Sequence, residues 1–347
     1  MAEIQDAGPN NEAAAKFMQL YLQSGNLNFL IGSGASFPAI KLAGNVEAEI
    51  NALLKEGKDE QANLKCVAFI EEIDAVHAQM IIGTDATVKK VLDDYVRLIA
   101  AIDHILFARK NILLPRQANI FTSNYDMFVE QAANMLPAVI LNDGFDRTSG
   151  LTTDFGFAPE RYFDRTYRSN AGFGHQVEIP TVNLIKIHGS LSWRRRAEMV
   201  VFDPKPIAPL TEAEKGDATK IAEYIAKHFL ILPNLRKFHA TLMERVYYDL
   251  LRLFSKAMDQ QNVALICFGF SFADEHIMDI TKRALRNPTS HLIIFAHNAA
   301  AVGGYQEKFS KHRNVTIVAP DNDSVIDLPR FSKILSMIPA KDSDAAA

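Results

Sequence analysis

Seven short apolar runs constrain this chain more than any other feature. Asn28–Ile31, Asn119–Thr122, Ala138–Leu141, Val182–Ile187, Val263–Phe268, His291–Phe295 and Val315–Val318 are rich in Val, Ile and Phe, and each gives way to Gly, Ser, Asn or Asp. Near-continuous apolarity over a strand's length means burial on both faces, as in a parallel sheet. Helical periods lie between the runs. In Asp85–Phe107 the residues Val88, Val91, Leu92, Tyr95, Ile99, Ile102 and Leu106 recur at helical spacing, and Leu242, Val246, Leu250, Leu253 and Ala257 do so in His239–Gln260. Strands alternating with helices predict a Rossmann-like, doubly wound α/β fold with a mostly parallel sheet.

The elements are unevenly spread. Val46–Phe107 holds about three helical patterns and no strand, so a helical insertion is expected at about residues 44–110 of a single domain spanning 27–335. Residues 1–26 read as an N-terminal helix or arm and 336–347 as a flexible tail. Two connections, about 142–180 and 194–238 (the latter with Pro204, Pro206, Pro209 and Pro233), are too long for ordinary turns and are expected at the functional edge.

Composition narrows the function classes. The 48% apolar and 22% charged residues are those of a globular protein, and 37 basic against 41 acidic residues give a net charge of −4. Such a balance offers no field for a phosphate backbone, so direct nucleic-acid binding is not expected. The acidic start (Glu3, Asp6, Glu12) does not read as a secretory leader, and no apolar run approaches the ~18 residues of a membrane span, so a cytoplasmic protein is expected. Two cysteines, Cys66 and Cys267, are too few for a disulfide scaffold or a four-thiolate zinc site.

Five segments could carry chemistry, and each has a plainer reading beside it. In Asn28–Ser36 (NFLIGSGAS) a strand runs into Gly32, Ser33, Gly34, Ala35 and Ser36, where glycines would let backbone amides face a pyrophosphate. It lacks the third Gly of a dinucleotide fingerprint and the Lys of a Walker loop, and it also reads as a tight turn. Ile120–Asp126 (IFTSNYD) places Asn124 and Asp126 past a strand's carboxyl end, where open α/β sheets bind ligands, or supplies a helix cap. Asn183–Trp193 (NLIKIHGSLSW) sets His188 at that edge, either as a functional imidazole or as a hydrogen-bonded surface residue; Trp193 reads as core and Arg194–Arg196 as a solvated charge run. Leu265–Asp274 (LICFGFSFAD) opens into Gly269 and Ser271, with Ser271 or Asp274 free to cap the next helix. Ile293–Asn298 ends on Asn298, a position that meets a nucleoside in doubly wound folds.

Taken in order, GSGAS, TSNYD, IHGSLSW and GFSFAD resemble the sirtuin-like family, in particular its bacterial anti-phage branch of NAD-hydrolysing enzymes. The resemblance implies that Gly32, Ser33, Gly34, Ala35 and Ser36 cradle the pyrophosphate of NAD. It implies that Asn124 and Asp126 hold the nicotinamide ribose and carboxamide and that His188 is catalytic. Gly269 and Ser271 would complete the dinucleotide pocket, with Asn298 on the adenosine side. Sirtuin deacylases carry a four-Cys zinc module, which two cysteines cannot build, and Phe37-Pro38-Ala39-Ile40 stands where an acidic-Arg element follows the Gly turn. The likeness therefore points to an NAD glycohydrolase without a metal, with a deacylase or ADP-ribosyltransferase as alternative and a non-catalytic NAD- or ADP-ribose-binding module as second alternative. Metal-dependent nuclease chemistry is weaker, for lack of an Asp/Glu/His set at ligand spacing. Control in the family implies a homo-oligomer and a separately encoded partner, a HerA-type ATPase or else an Argonaute-type protein.

Overall fold

The computed structural model describes residues 2–109, 113–147, 154–169, 176–230, 241–321 and 324–338. Parts of both long connections, Pro233, the start of the His239–Gln260 period and most of the expected tail lie outside them. The chain opens with β1 (Glu3–Asp6), α1 (Glu12–Ser24) and β2 (Asn26–Ile31), then three consecutive helices, α2 (Ala43–Lys55), α3 (Asp59–Ile82) and α4 (Ala86–Ala108). Next come β3 (Gln117–Thr122), α5 (Phe128–Asn134), β4 (Ile140–Asn142), β5 (Phe145–Asp146), β6 (Phe155–Phe157), β7 (Tyr167–Ser169) and β8 (Gln176–Glu178). They are followed by β9 (Thr181–Lys186), β10 (Gly189–Ser190), β11 (Trp193–Arg196), β12 (Met199–Phe202), α6 (Ala218–Lys227) and β13 (Phe229–Leu230). The last part runs through α7 (Thr241–Met258), β14 (Val263–Phe268), α8 (Glu275–Ala284), β15 (His291–Phe295), α9 (Ala299–Lys308), β16 (Val315–Ala319) and α10 (Leu328–Ser336).

Eight strands make one sheet in the order β1-β16-β15-β14-β2-β3-β9-β4, every pair parallel. This is a Rossmann-like α/β fold. From β2 the chain moves outward through β3 towards β9 and β4, then returns to lay β14 beside β2 and moves outward the other way. The carboxyl ends of β2 and β14 thus stand side by side where the winding reverses, the place at which open α/β sheets bind ligands. The inner strands serve two cores. Phe29, Ile31, Ile120, Leu184, Ile266 and Ile293 face one layer together with residues of α1 to α4 and α10. Leu30, Phe121, Ile185, Cys267 and Ile294 face the other, against Leu250 and Phe254 of α7 and Ile277 of α8. Cys66 of α3 belongs to the first layer and Cys267 to the second, so the two thiols are on opposite sides of the sheet.

A polar ladder crosses this apolar sheet. Asn28, Asn119, Asn183 and Asn142 are register partners on four adjacent strands. Their amides join head to tail: Asn142 Nδ2 donates to Asn183 Oδ1 at 2.9 Å, Asn183 Nδ2 to Asn119 Oδ1 at 2.9 Å, and Asn119 Nδ2 to Asn28 Oδ1 at 2.8 Å. A one-residue slip would turn every amide into the opposite core, so the ladder pins register. Asn119→Ala leaves Asn28 Oδ1 and Asn183 Nδ2 without their partners and is expected to cost about 1–3 kcal/mol in chemical denaturation. An unchanged unfolding midpoint would show that the ladder contributes nothing.

Several elements depart from the sequence expectation. The polar start, read as a helix or arm, begins with β1, which pairs with β16 from Glu3↔Thr316 to Asp6↔Ala319. The run placed at Ala138–Leu141 forms a strand only at Ile140–Asn142. The two long connections are not plain loops: they supply the antiparallel sheet β11-β12-β6-β5 and the hairpin β7-β8. Trp193, Phe145, Phe157 and Phe202 pack their rings together on that small sheet, with Trp193 2% exposed. Arg194 is not solvated either. Its guanidinium is buried on the carbonyls of Leu191, Trp193 and Lys205, whereas Arg195 and Arg196 are exposed. No helix among the described residues is long and apolar enough to cross a membrane.

Candidate active site

At the switch point two glycine turns lie backbone against backbone. Gly32 donates its amide to the Phe268 carbonyl at 3.0 Å, and Gly34 donates to that of Gly269 at 3.1 Å. A Cβ on Gly34 would come 2.9 Å from the Gly269 Cα, and Gly269 itself takes a left-handed φ of +65°. The amides of Ala35 and Ser36 turn back onto Gly32 and Ser33 in a single 3-10 turn. The amides expected to point at a pyrophosphate are thus bonded within the protein at Gly32, Gly34, Ala35 and Ser36. The close approach of the two main chains is by itself a reason for glycine at these positions.

Ser36, at the end of this turn, is the hub of a buried polar cluster. Its hydroxyl donates to Asp126 Oδ2 at 2.7 Å and accepts from Asn124 Nδ2 at 3.0 Å. A hydroxyl has one proton, so the Tyr95 hydroxyl, 2.9 Å away, is the donor in the third contact. Asn124 Nδ2 also donates to the Gly32 carbonyl at 3.2 Å, which fixes the amide's orientation. Its Oδ1 is left as a buried acceptor with no partner among the described residues. Asp126 spends its other oxygen on the Phe128 amide. Burial pushes the Asp126 carboxyl up, and the Lys186 ammonium and the Ser36 bond oppose it. Lys186, 2% exposed, binds the Asp126 carbonyl, Ser190 Oγ at 2.9 Å and Glu130 at 2.7 Å, and so clamps the loop after β3 to the loop after β9.

His188 stands two residues past β9 and Asn124 two past β3, on strands whose last residues, Lys186 and Thr122, are register partners. The imidazole Nε2 lies 3.0 Å from Asp274 Oδ2. Asp274 also caps α8, its Oδ1 accepting the Ile277 amide at 2.9 Å. The cap is one of the readings left open above; the bond to His188 is not legible in the sequence, because it joins segments 86 residues apart. Burial pushes the Asp274 carboxyl up, but the bonds from His188 and Ile277 outweigh it and hold it below its usual range. Tyr247 of α7 sits 6.3 Å from the His188 ring, centroid to centroid, and burial with the Asp274 charge pushes its hydroxyl up to about 12.

The three helices before β3 brace this site. Tyr95 of α4 holds Ser36 and stacks on Phe128 at 5.2 Å. His77 of α3 accepts the Met127 amide through Nε2 at 3.1 Å, and burial, with the Lys186 charge, pushes it down to about 3, so it acts as a neutral acceptor. Glu47 of α2 lies within electrostatic reach of His188 and Asp274. Burial raises its carboxyl, the His188 charge opposes this and the Asp274 charge adds to it. None of these three belongs to a motif. The one available signal was a polar residue on the buried face of a helix, as with Tyr95 and His77.

The remaining candidates lie on the other side of the switch point. Ser271 is exposed, and its carbonyl takes the Lys308 ammonium at 2.6 Å. Asn298 is exposed and caps α9, its Oδ1 accepting the Ala301 amide at 3.0 Å. Comparison with known families matches residues 118–318 to the SIR2-like domain. Comparison with curated proteins returns no match.

Proposed function

The chain belongs to the SIR2-like domain family, which goes with NAD use, and on that premise we propose that it splits the nicotinamide–ribose bond of NAD with water. The observation that supports this most is that the carboxyl ends of two adjacent strands, β3 and β9, carry an amide whose buried oxygen has no partner among the described residues (Asn124) and an imidazole bonded to an acid (His188). The C1′–N bond breaks with its electron pair passing to the pyridinium nitrogen, so nicotinamide leaves neutral and needs little acid help. The cost is an oxocarbenium-like ribose, which positioning and electrostatics lower. Water then bonds to C1′, His188 takes one of its protons, and that proton passes to solvent. Asn124 Oδ1 would accept a ribose hydroxyl, and Asp126, tied to Ser36, holds the turn beneath it.

The same proposal includes control, because unrestrained NAD hydrolysis is toxic: a toxic effector in anti-phage defence, acting by NAD depletion, as a homo-oligomer governed by a separately encoded partner, with a HerA-type ATPase favoured over an Argonaute-type protein. The family resemblance is what supports that part. NAD consumption and product analysis on the purified chain, before and after size fractionation, test both parts. Equal amounts of nicotinamide and ADP-ribose are expected, concentrated in the large species. Turnover only with an acylated peptide would make it a deacylase, and thermal stabilisation by NAD without nicotinamide release would make it a binding module.

A further inference from the structure

We propose that Asp274 positions the base of this site: by holding Nε2–H of His188 it leaves Nδ1 as the nitrogen that takes the proton. The step rests on the NAD-hydrolysis reading; the assignment of the two nitrogens does not. It follows from counting protons. Asp274 already accepts the Ile277 amide with Oδ1, and its Oδ2 is 3.0 Å from Nε2. An ionised carboxylate has no proton to give, so the proton in that bond belongs to Nε2. A neutral imidazole carries one N–H, so Nδ1 holds the lone pair, and Nδ1 has no hydrogen-bond partner among the described residues.

The geometry makes Asp274 a rigid anchor. Its side chain is fixed from two directions, by the first turn of α8 and by the imidazole. The bond also reaches across the crevice: β9 and β14 are separated in the sheet by β2 and β3, so the loops after the outer pair close over the ends of the inner pair. Once Nδ1 takes a proton, the imidazolium faces the Asp274 carboxylate directly. Glu47 of α2, Tyr125 of the loop after β3, Tyr247 of α7 and His276 of α8 are the other titratable groups around the pair. Both tyrosines are buried and stay protonated, leaving Asp274 as the bonded counter-charge.

Asp274→Asn tests this, because Asn caps a helix as Asp does and keeps the side-chain length while removing the charge. The expected result is a fall in kcat for nicotinamide release of about tenfold or more, a KM within about twofold, and an unchanged melting temperature. Asp274→Ser, which caps α8 but is too short to hold the imidazole, should lose as much. A readout free of turnover is the 15N spectrum of histidine-labelled protein, with His188 assigned by its loss in His188→Ala. The wild type should show the proton on Nε2 at neutral pH. A proton on Nδ1 in the wild type overturns the proposal, as does an unchanged kcat in Asp274→Asn. Faster turnover in Asp274→Asn also overturns it and makes the pair a latch across the crevice. If the wild type releases no nicotinamide, the functional reading fails, and the 15N result still decides the nitrogen assignment.

Discussion

His188→Ala should release nicotinamide from NAD at about one-hundredth of the wild-type rate or less, the usual cost of losing a general base. The variant should still fold. The imidazole's hydrogen bond among the described residues is to Asp274, and Asp274 keeps the Ile277 amide when it goes. Asn124→Ala should lose as much activity for a different reason. The amide is oriented by two acceptors, the Gly32 carbonyl and Ser36 Oγ, which leaves its oxygen without a partner among the described residues. Removing it also deletes two buried hydrogen bonds, although the Gly32 carbonyl keeps the Ala35 amide and Ser36 Oγ keeps Tyr95, so this variant should be less stable by about 1–3 kcal/mol and is best assayed well below its melting temperature. Both are read by chromatography of nicotinamide after incubation with NAD. Near-wild-type release by either folded variant would remove NAD hydrolysis at this site from consideration.

How much of this was legible in the sequence depended on where each residue finds its partners. Strands buried on both faces write themselves as unbroken apolar runs, and Val263–Phe268 and His291–Phe295 coincide with β14 and β15 residue for residue. β1 escaped because Glu3-Ile4-Gln5-Asp6 is a mostly exposed edge strand, held by β16 some three hundred residues on rather than by its own apolarity. The small sheet escaped for a related reason: Trp193 and Phe157 are made into a core by each other's rings, across a long connection that has no period. Asn124, Asp126 and His188 stand just past strand ends, so their place at the carboxyl edge could be read locally. The second bond of Asp274, the brace from Tyr95 and the approach of Glu47 could not, since each needs the fold before its partner exists.

Gly32→Ala should be one of the most damaging glycine-to-alanine changes among the described residues. The reason is not backbone strain, for Gly32 has φ −107° and ψ −176°, extended values that any residue adopts. It is space. A Cβ built there falls 2.3 Å from the Gly269 carbonyl oxygen and 2.7 Å from the Phe270 Cα, and both are backbone atoms that cannot swing aside. The two turns must part, and the bonds from Gly32 to Phe268 and from Gly34 to Gly269 part with them. Overpacking and two broken buried hydrogen bonds together should cost about 2–5 kcal/mol. The Asn124 bond to the Gly32 carbonyl is lost in the same movement, so thermal stabilisation by NAD should vanish even where the variant remains folded. Gly303→Ala is the control: it lies within α9 with nothing inside 4 Å of an added Cβ, and exchanging a helical Gly for Ala should stabilise by about 0.5–1 kcal/mol. Were Gly32→Ala to melt with the wild type and still bind NAD, the two turns could not be in the contact described.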